Sequence, residues 1–451
     1  MQQIEDGELK MTQEEKLSFY KLVTEKKELY GPPVGFGNST AKFSLSELRE
    51  AWRNSDVATV DKPSMALYIH IPFCLQQRCS FCMYKSLVNY DDGQLKNYSE
   101  RIGREISFWN DELMVRPLSG LYVGGGTPNI YKPELFASML QCVKNYTYES
   151  VAEKTCELAA CSASIEHVYA VQALSFNRIS LGVQSFDREI LSAVNREYAS
   201  PDKVHSLISP SREGAFLDVN IDLMLGLPHR TSENIRFDVR AAIECGALSI
   251  SLYTYRNVNS SLSKEDEENR QRAIALQLEA VYEVIDNAGW ERVAGNTNTE
   301  YHLFFSPKRT RGTFRFRTGI SGLENHRVLG VGSFAHGFSP SLFYTCERLY
   351  TLFSENEHGY SIGILNKRQQ MQMAICNMLY GNEMKIDTVK FLRLFGCAFE
   401  DVFEEEILEL GKLGKILPVE NGYYIPSTSR FEAAALQKFF WDFSFLSQLI
   451  K

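Results

Sequence analysis

Six short apolar runs constrain this chain more than any other feature. Residues 66–71, 118–123, 155–159, 178–183, 219–225 and 248–253 each read as a buried strand. Amphipathic helical stretches fill the gaps, for example 92–112 and 187–194. Strands separated by helices pair in parallel through right-handed crossovers, because a hairpin cannot accommodate the intervening helix. The expectation is an α/β fold whose functional residues gather at the strand ends.

The flanks read differently. Residues 1–60 form a polar, helical N-terminal extension, broken by Gly31-Pro32-Pro33 and a loop through Asn38. Ser44 is expected to cap a helix over 45–53, with Glu47 completing a capping box. The core is expected to span 61–360. Residues 361–451 read as helices at 368–380, from Asp387, at 399–413 and at 431–445, with a hairpin over 416–425 turning at Asn421-Gly422. That order of elements is a winged-helix-like α+β domain. It carries 10 Lys+Arg against 11 Asp+Glu, so it is not basic, and a lid or wall over the active site is expected rather than a DNA reader.

Chemistry enters with Cys74, Cys79 and Cys82, directly after the first strand. Three clustered thiols without a fourth ligand at matched spacing suit a [4Fe–4S] cluster that keeps one iron open. A zinc site needs a fourth Cys or His, and His70 sits on the strand as a poor tetrahedral partner. A disulfide framework is disfavoured by the irregular scatter of the other cysteines, Cys142, Cys156, Cys161, Cys245, Cys346, Cys376 and Cys397. Most of these read as small buried apolar residues; Cys161 stands out because it follows a functional strand.

Composition narrows the class. The chain has 451 residues, 44% apolar and 23% charged, as a globular protein does. Its net charge of −8 argues against a general nucleic-acid binder. No apolar run approaches membrane-spanning length, and no apolar signal segment opens the chain. A cytoplasmic protein is expected, because an oxygen-labile cluster needs a reducing compartment.

Four segments in order carry a resemblance: Tyr68 to Cys82; Gly124-Gly125-Gly126-Thr127-Pro128; Asn177 to Asp187, including Gly182-Val183-Gln184-Ser185-Phe186-Asp187; and Asp222 to Pro228. Together they resemble the HemN-like branch of the radical S-adenosylmethionine (SAM) enzymes over residues 60–340, and the C-terminal 90 residues resemble that family's appended domain. The resemblance implies a partial (β/α)6 TIM-type barrel of the radical SAM kind. Three departures stand out. The cysteine spacing is Cys-x4-Cys-x2-Cys where the family has Cys-x3-Cys-x2-Cys. The family's Glu-Ala-Asn-Pro strand end reads Glu157-Leu158-Ala159-Ala160-Cys161. The His-Asn-x-x-Tyr signature of the HemW-type haem chaperones is absent.

The resemblance also implies roles. Cys74, Cys79 and Cys82 would hold the cluster, and SAM would chelate its open iron. Gly124, Gly125, Gly126 and Thr127 would hold the methionine amino group along a glycine-permissive backbone. Glu157 would contact SAM, the alternative being a surface carboxylate. Gln184 and Arg196 would follow, with Arg196 on a SAM carboxylate. Asp222 lies in an apolar strand and must have a partner; ribose hydroxyls or a backbone cap are the alternatives. Tyr68 would border a second SAM, and Met224, Tyr253 and Tyr255 would line that pocket or simply pack. Phe81 would pack on the cluster, on adenine or in the core. Arg178 reads as structural, and His336 in Gly330–Gly337 is a candidate for proton transfer.

The expected function is reductive SAM cleavage to a 5′-deoxyadenosyl radical. A second SAM would then serve methyl or methylene transfer (C-methylation or cyclopropanation) to an unsaturated small molecule. The alternatives are oxidation or modification of a tetrapyrrole, as in coproporphyrinogen III dehydrogenation, or a haem chaperone. Lys308, Arg309, Arg311, Arg315 and Arg317 read as an anion-binding patch or a solvated loop. A monomer fed by an electron donor such as flavodoxin or ferredoxin is expected.

Overall fold

The computed structural model describes residues 13–26, 41–55, 64–209 except 76 and 83, 216–255, 264–295, 302–307, 326–349, 354–381, 384–426, and positions 432, 435, 436, 439 and 440. The Gly31–Pro33 break, the Lys308–Arg317 patch and most of the last expected helix lie outside these residues.

The six expected strands are present as β1 Ser64–Ile71, β2 Leu118–Gly125, β3 Tyr148–Ala159, β4 Arg178–Gln184, β5 Asp218–Leu225 and β6 Ser249–Thr254. They pair in parallel and in sequence order. Helices such as Asp92–Phe108, Ile165–Ala173 and Ser232–Cys245 make the crossovers. Every residue of β1 after Ser64 is buried, as a strand covered on both faces must be. Sheet order is β12-β11-β10-β9-β1-β2-β3-β4-β5-β6-β8-β7, an open sheet rather than a closed barrel.

The remaining strands extend this frame. At one edge, β7 Trp290–Gly295 and β8 His302–Pro307 add antiparallel pairs beside β6. At the other, β9 His326–Val331 joins β1 in parallel, and β10 His336–Ser339, β11 Leu342–Cys346 and β12 Tyr360–Ile364 follow antiparallel. The Gly330–Gly337 segment is therefore the end of a seventh parallel strand and the turn out of it.

The expected helix over 92–112 stops earlier, at Phe108, and a short helix Asn110–Leu113 follows. Trp109 breaks it: its ring is fully buried, edge-on to Trp52 at 6.0 Å. The Ser44–Glu47 capping box forms on the helix Leu45–Arg53, which tucks Leu48 and Trp52 into the core.

A second apolar core lies under helices Lys367–Gly381, Thr388–Phe395 and Phe399–Lys412 and the small sheet of β13 Lys385–Asp387, β14 Leu417–Val419 and β15 Gly422–Tyr424. Asp387 caps the helix Thr388–Phe395, and Asn421 takes the positive φ that the tight hairpin requires. The helix Gln13–Lys26 packs against Phe399–Lys412 through the buried ion pair Lys16–Glu406 at 2.7 Å. Among the described residues, no helix is long and apolar enough to cross a membrane.

Candidate active site

β1 delivers the cysteine loop to the mouth formed by the strand ends. The loop closes on itself where Cys74 N donates to Leu87 O (2.8 Å) and Leu87 N to Pro72 O (2.7 Å). Ser80 N reaches across to Val194 O (3.1 Å). Arg78 braces the loop's far side by donating to Tyr84 O at 2.7 Å. All three thiols are free and half-buried. Burial pushes the Cys82 thiol up, and the neighbouring Cys74 and Cys79 add to that shift.

The Gly-rich turn is fastened to the same loop. Gly126 N donates to Ile71 O and Thr127 N to Phe73 O, both at 2.7 Å. A side chain on Gly126 would collide with the Phe73 carbonyl, so glycine is required by close backbone approach. Gly125 has φ +106° and lies against the His70 ring. His70 Nδ1 is within 2.7 Å of Tyr68 Oη, and burial, then His336, lower its pKa to about 3. His70 is therefore a neutral neighbour of the turn. Among the described residues, no three His, Cys, Asp or Glu side chains gather closely enough to hold a single ion. The ligands of a four-iron cube spread around its corners rather than converge on one point.

Glu157, near the end of β3, sits directly over Gly124. Tyr122 Oη donates to Glu157 Oε1, and Gly125 N donates to Oε2 at 3.3 Å. Burial pushes Glu157 up to about 7. The Tyr122 hydrogen bond pulls it back, and the charge of Asp222 adds to the rise. Asp222 on β5 receives Asn220 Nδ2 (2.7 Å) and Ser180 Oγ (3.2 Å), and burial pushes it up to about 6. Arg178 is committed elsewhere, in a buried pair with Asp218 at 2.7 Å.

Arg196 lies between the cysteine loop and β4. Its Nη2 donates to Gly182 O (2.6 Å), its Nη1 lies 3.9 Å from Cys79 Sγ, and its buried Nε has no partner among the described residues. Burial works against this charge, and Cys79 and Cys161 outweigh it. A guanidinium beside a cysteine favours the thiolate, the form that ligates iron. Gln184 has φ +72° at a bulge that ends β4. Phe81, Met224 and Tyr255 meet in one small apolar cluster with Ile190, Val194 and Leu227, and Tyr253 packs against it. Phe81 thus packs edge-on to Tyr255 at 6.5 Å. The Tyr68 ring lies 5.7 Å from that of His336.

Several residues were not singled out by the sequence. Asn129 holds the turn after β3: its Oδ1 accepts from Ala159 N (2.7 Å), and its Nδ2 donates to Ser162 Oγ (3.0 Å). It secures the turn in which the family's Asn-Pro is missing. Arg230 donates to Met224 O, Gln184 O and the buried Asp238, tying the ends of β4 and β5 together. Asp238 in turn accepts from Phe186 N and Ser185 Oγ, both at 2.8 Å. Only the four-residue interval from Thr127 to Tyr131 and the charge of Arg230 could have drawn attention to these positions.

The residues present fit a cuboidal cluster and its ligand: three thiols on one short loop, a guanidinium beside one of them, a glycine cradle and two buried carboxyls at the same end of the sheet. A profile of the Radical SAM superfamily matches residues 68–241, which contain all of these groups. The oxygen-independent coproporphyrinogen III oxidase of Escherichia coli K12 is 29% identical over 203 residues, 45% of this chain and 44% of that protein. The heme chaperone HemW of Lactococcus lactis is 27% identical over 369 residues, 78% of this chain and 90% of that protein. The crystal structure of E. coli HemN, described as a radical SAM enzyme, superposes with a TM-score of 0.70 at 20% identity, covering 91% of this chain and 99% of that one. The chain spans about half the length of the oxidases it matches. Fold and site together define a radical SAM protein, whose cofactors are a [4Fe–4S] cluster and SAM. Within that superfamily the chain is similar to the HemN-like proteins.

Proposed function

We propose that this protein cleaves SAM reductively at the Cys74–Cys79–Cys82 loop and directs the resulting radical at a tetrapyrrole. The observation that carries the reading is the convergence of the three thiols, the Gly124–Thr127 turn, Glu157 and Asp222 on one mouth of the sheet. When bound, the cluster supplies the electron that breaks a sulfonium C–S bond, giving methionine and 5′-deoxyadenosine after hydrogen abstraction. The chain's own residues bind and orient. Arg196 stands beside Cys79, 3.9 Å from its sulfur. The turn from Gly124 presents backbone amides to an amino acid moiety, and Glu157 and Asp222 offer carboxylates to a cationic, hydroxyl-rich ligand. Tyr68, Tyr122 and Phe338 pack in one aromatic cluster next to the carboxyls, the kind of surface on which a flat macrocycle stacks. An external low-potential donor such as flavodoxin or ferredoxin would feed the site.

A second reading, haem carriage, is favoured by the length of the HemW match and by two imidazoles, His70 and His336, that burial keeps neutral. The comparisons lend carbon transfer from a second SAM no support. One experiment separates the three. The anaerobically reconstituted protein is given SAM, dithionite and either coproporphyrinogen III or haem, and products are quantified by mass spectrometry. 5′-Deoxyadenosine formed in step with macrocycle oxidation is expected. Stoichiometric haem binding without SAM cleavage would replace this reading with the carrier, and S-adenosylhomocysteine in equal amount would return it to carbon transfer.

A further inference from the structure

We infer that Tyr122 is the positioning residue for Glu157: its phenol holds the carboxyl over Gly124 and sets the pH range in which that carboxyl binds the cationic ligand. The inference rests on reading Glu157 as part of the SAM site.

The geometry is a clamp. Tyr122 and Gly124 lie two residues apart on β2, so both face β3 from the same side of the sheet. The Tyr122 hydroxyl donates to one oxygen of Glu157, and the Gly125 amide donates to the other. Between them there is no room for a side chain: a Cβ on Gly124 would lie 2.5 Å from Glu157 Oε2 and 2.8 Å from the Tyr122 ring. The carboxyl is thus fixed in direction by one phenol, one amide and the absence of one methyl group.

The phenol is also electrically suited to this task. Burial, then the charge of Glu157, raises its pKa well above the usual tyrosine value, so it stays a donor. The groups facing Glu157 come from every neighbouring strand: Asp222 on β5, Arg178 on β4, Tyr68 on β1, Tyr253 on β6 and Tyr84 of the cysteine loop. Asp222 raises the pKa, Arg178 lowers it, and the hydrogen bonds from Tyr122 and Gly125 lower it too. Among the described residues, Tyr122 is the one side chain that donates a hydrogen bond to Glu157. Ligand charge gives the consequence. SAM bears a sulfonium and an ammonium, so the ionised carboxyl binds it better, and the group that keeps the carboxyl ionised sets affinity near neutral pH.

The test uses Tyr122→Phe, which keeps the ring and removes the donor, with Glu157→Gln as control. In the apo-protein, the Glu157 carboxyl band is titrated by infrared difference spectroscopy against Glu157→Gln. In the cluster-loaded protein, SAM affinity is measured by equilibrium dialysis across pH. Tyr122→Phe is expected to move both midpoints upward by about one pH unit. SAM binding should weaken roughly fivefold at neutral pH and recover at alkaline pH. Unchanged midpoints in Tyr122→Phe, with Glu157→Gln still weakening SAM, would overturn the role of Tyr122 alone. Unchanged SAM affinity in Glu157→Gln would overturn the assignment of Glu157, and the proposal with it. A uniform loss at all pH values would mark Tyr122 as mere packing and also reject the proposal.

Discussion

Two parts of this molecule bury carboxylates, and they treat them in opposite ways. Under the C-terminal helices, Glu406 is only 1% exposed but lies between Lys16 at 2.7 Å and Arg368 at 3.1 Å. Glu432 nearby accepts from Tyr20 at 2.7 Å and pairs with Lys415 at 2.8 Å. At the strand mouth, Glu157 and Asp222 receive only a phenol, an amide, a hydroxyl and a carboxamide, and burial drives both toward neutrality. A buried acid with its own cation is part of the scaffold. A buried acid that accepts hydrogen bonds from neutral donors, and feels Arg178 only from a distance, is a place prepared for a cation that arrives from outside.

The sharpest break of that comparison lies at the loop. Cys79→Ala removes the ligand next to Arg196 and should abolish both cluster retention and SAM cleavage, a loss of several orders of magnitude, while the C-terminal core stays folded. Iron content and 5′-deoxyadenosine yield check it; normal cleavage in the variant would end the cluster assignment. Next in size is Asp238→Ala. It strands Arg230, which is buried and bonded to the carbonyls ending β4 and β5. Removing one partner of a buried pair costs about 3–5 kcal/mol. Urea unfolding should show that loss, and SAM affinity should fall with it, because Gln184 and Met224 lose their tether.

These effects also show what could be read from the sequence. The six parallel strands, the Ser44–Glu47 box, the Asp387 cap and the Asn421-Gly422 hairpin were legible, because each depends on residues close together in the chain. The cysteine triad and the glycine turn were legible for the same reason. The seventh parallel strand was not: β9 finds its partner β1 more than two hundred residues away, and its sequence runs straight into a glycine-rich turn. Nor were Tyr122, Asn129 and Arg230 legible. Their roles exist only where strand ends from different parts of the chain meet, and nothing local distinguishes a phenol that clamps a carboxyl from one that packs. Arg196 reads as a ligand-binding cation from its position, yet the structure also sets it beside Cys79, a contact that spans 117 residues.

The paired region gives a smaller and differently distributed effect. Lys16→Met removes one of the two cations on Glu406, leaving Arg368 in place. A loss of about 1–3 kcal/mol in the C-terminal part is expected, measured by denaturant unfolding. SAM cleavage should continue at the wild-type rate under conditions where the protein is folded. A large loss of SAM affinity in this variant would show that the two regions are coupled, and the contrast between them would have to be redrawn.

The subtlest consequence is the pH dependence of stability. Glu157 is raised from 4.5 to about 7 and Asp222 from 3.8 to about 6. Within that window the folded protein holds protons that the unfolded chain has released. Stability contributed by these groups therefore falls as pH rises, and the penalty is complete above the folded-state values. His70 acts in the other direction: lowered to about 3, it costs stability as pH falls below 6.5. Comparing wild type with Glu157→Gln cancels the histidine and isolates the acid. The variant should match wild type near about pH 4 and exceed it by about 1–3 kcal/mol near about pH 8, in the absence of SAM. Saturating SAM should stabilise wild type more than the variant, because the ligand supplies the missing positive charge. A Glu406→Gln variant, whose acid already has its cations, should show no such gain at alkaline pH. If both variants respond alike, neutral donors stabilise a buried acid as well as a counterion does, and the strand mouth loses its claim to be a site prepared for a cation.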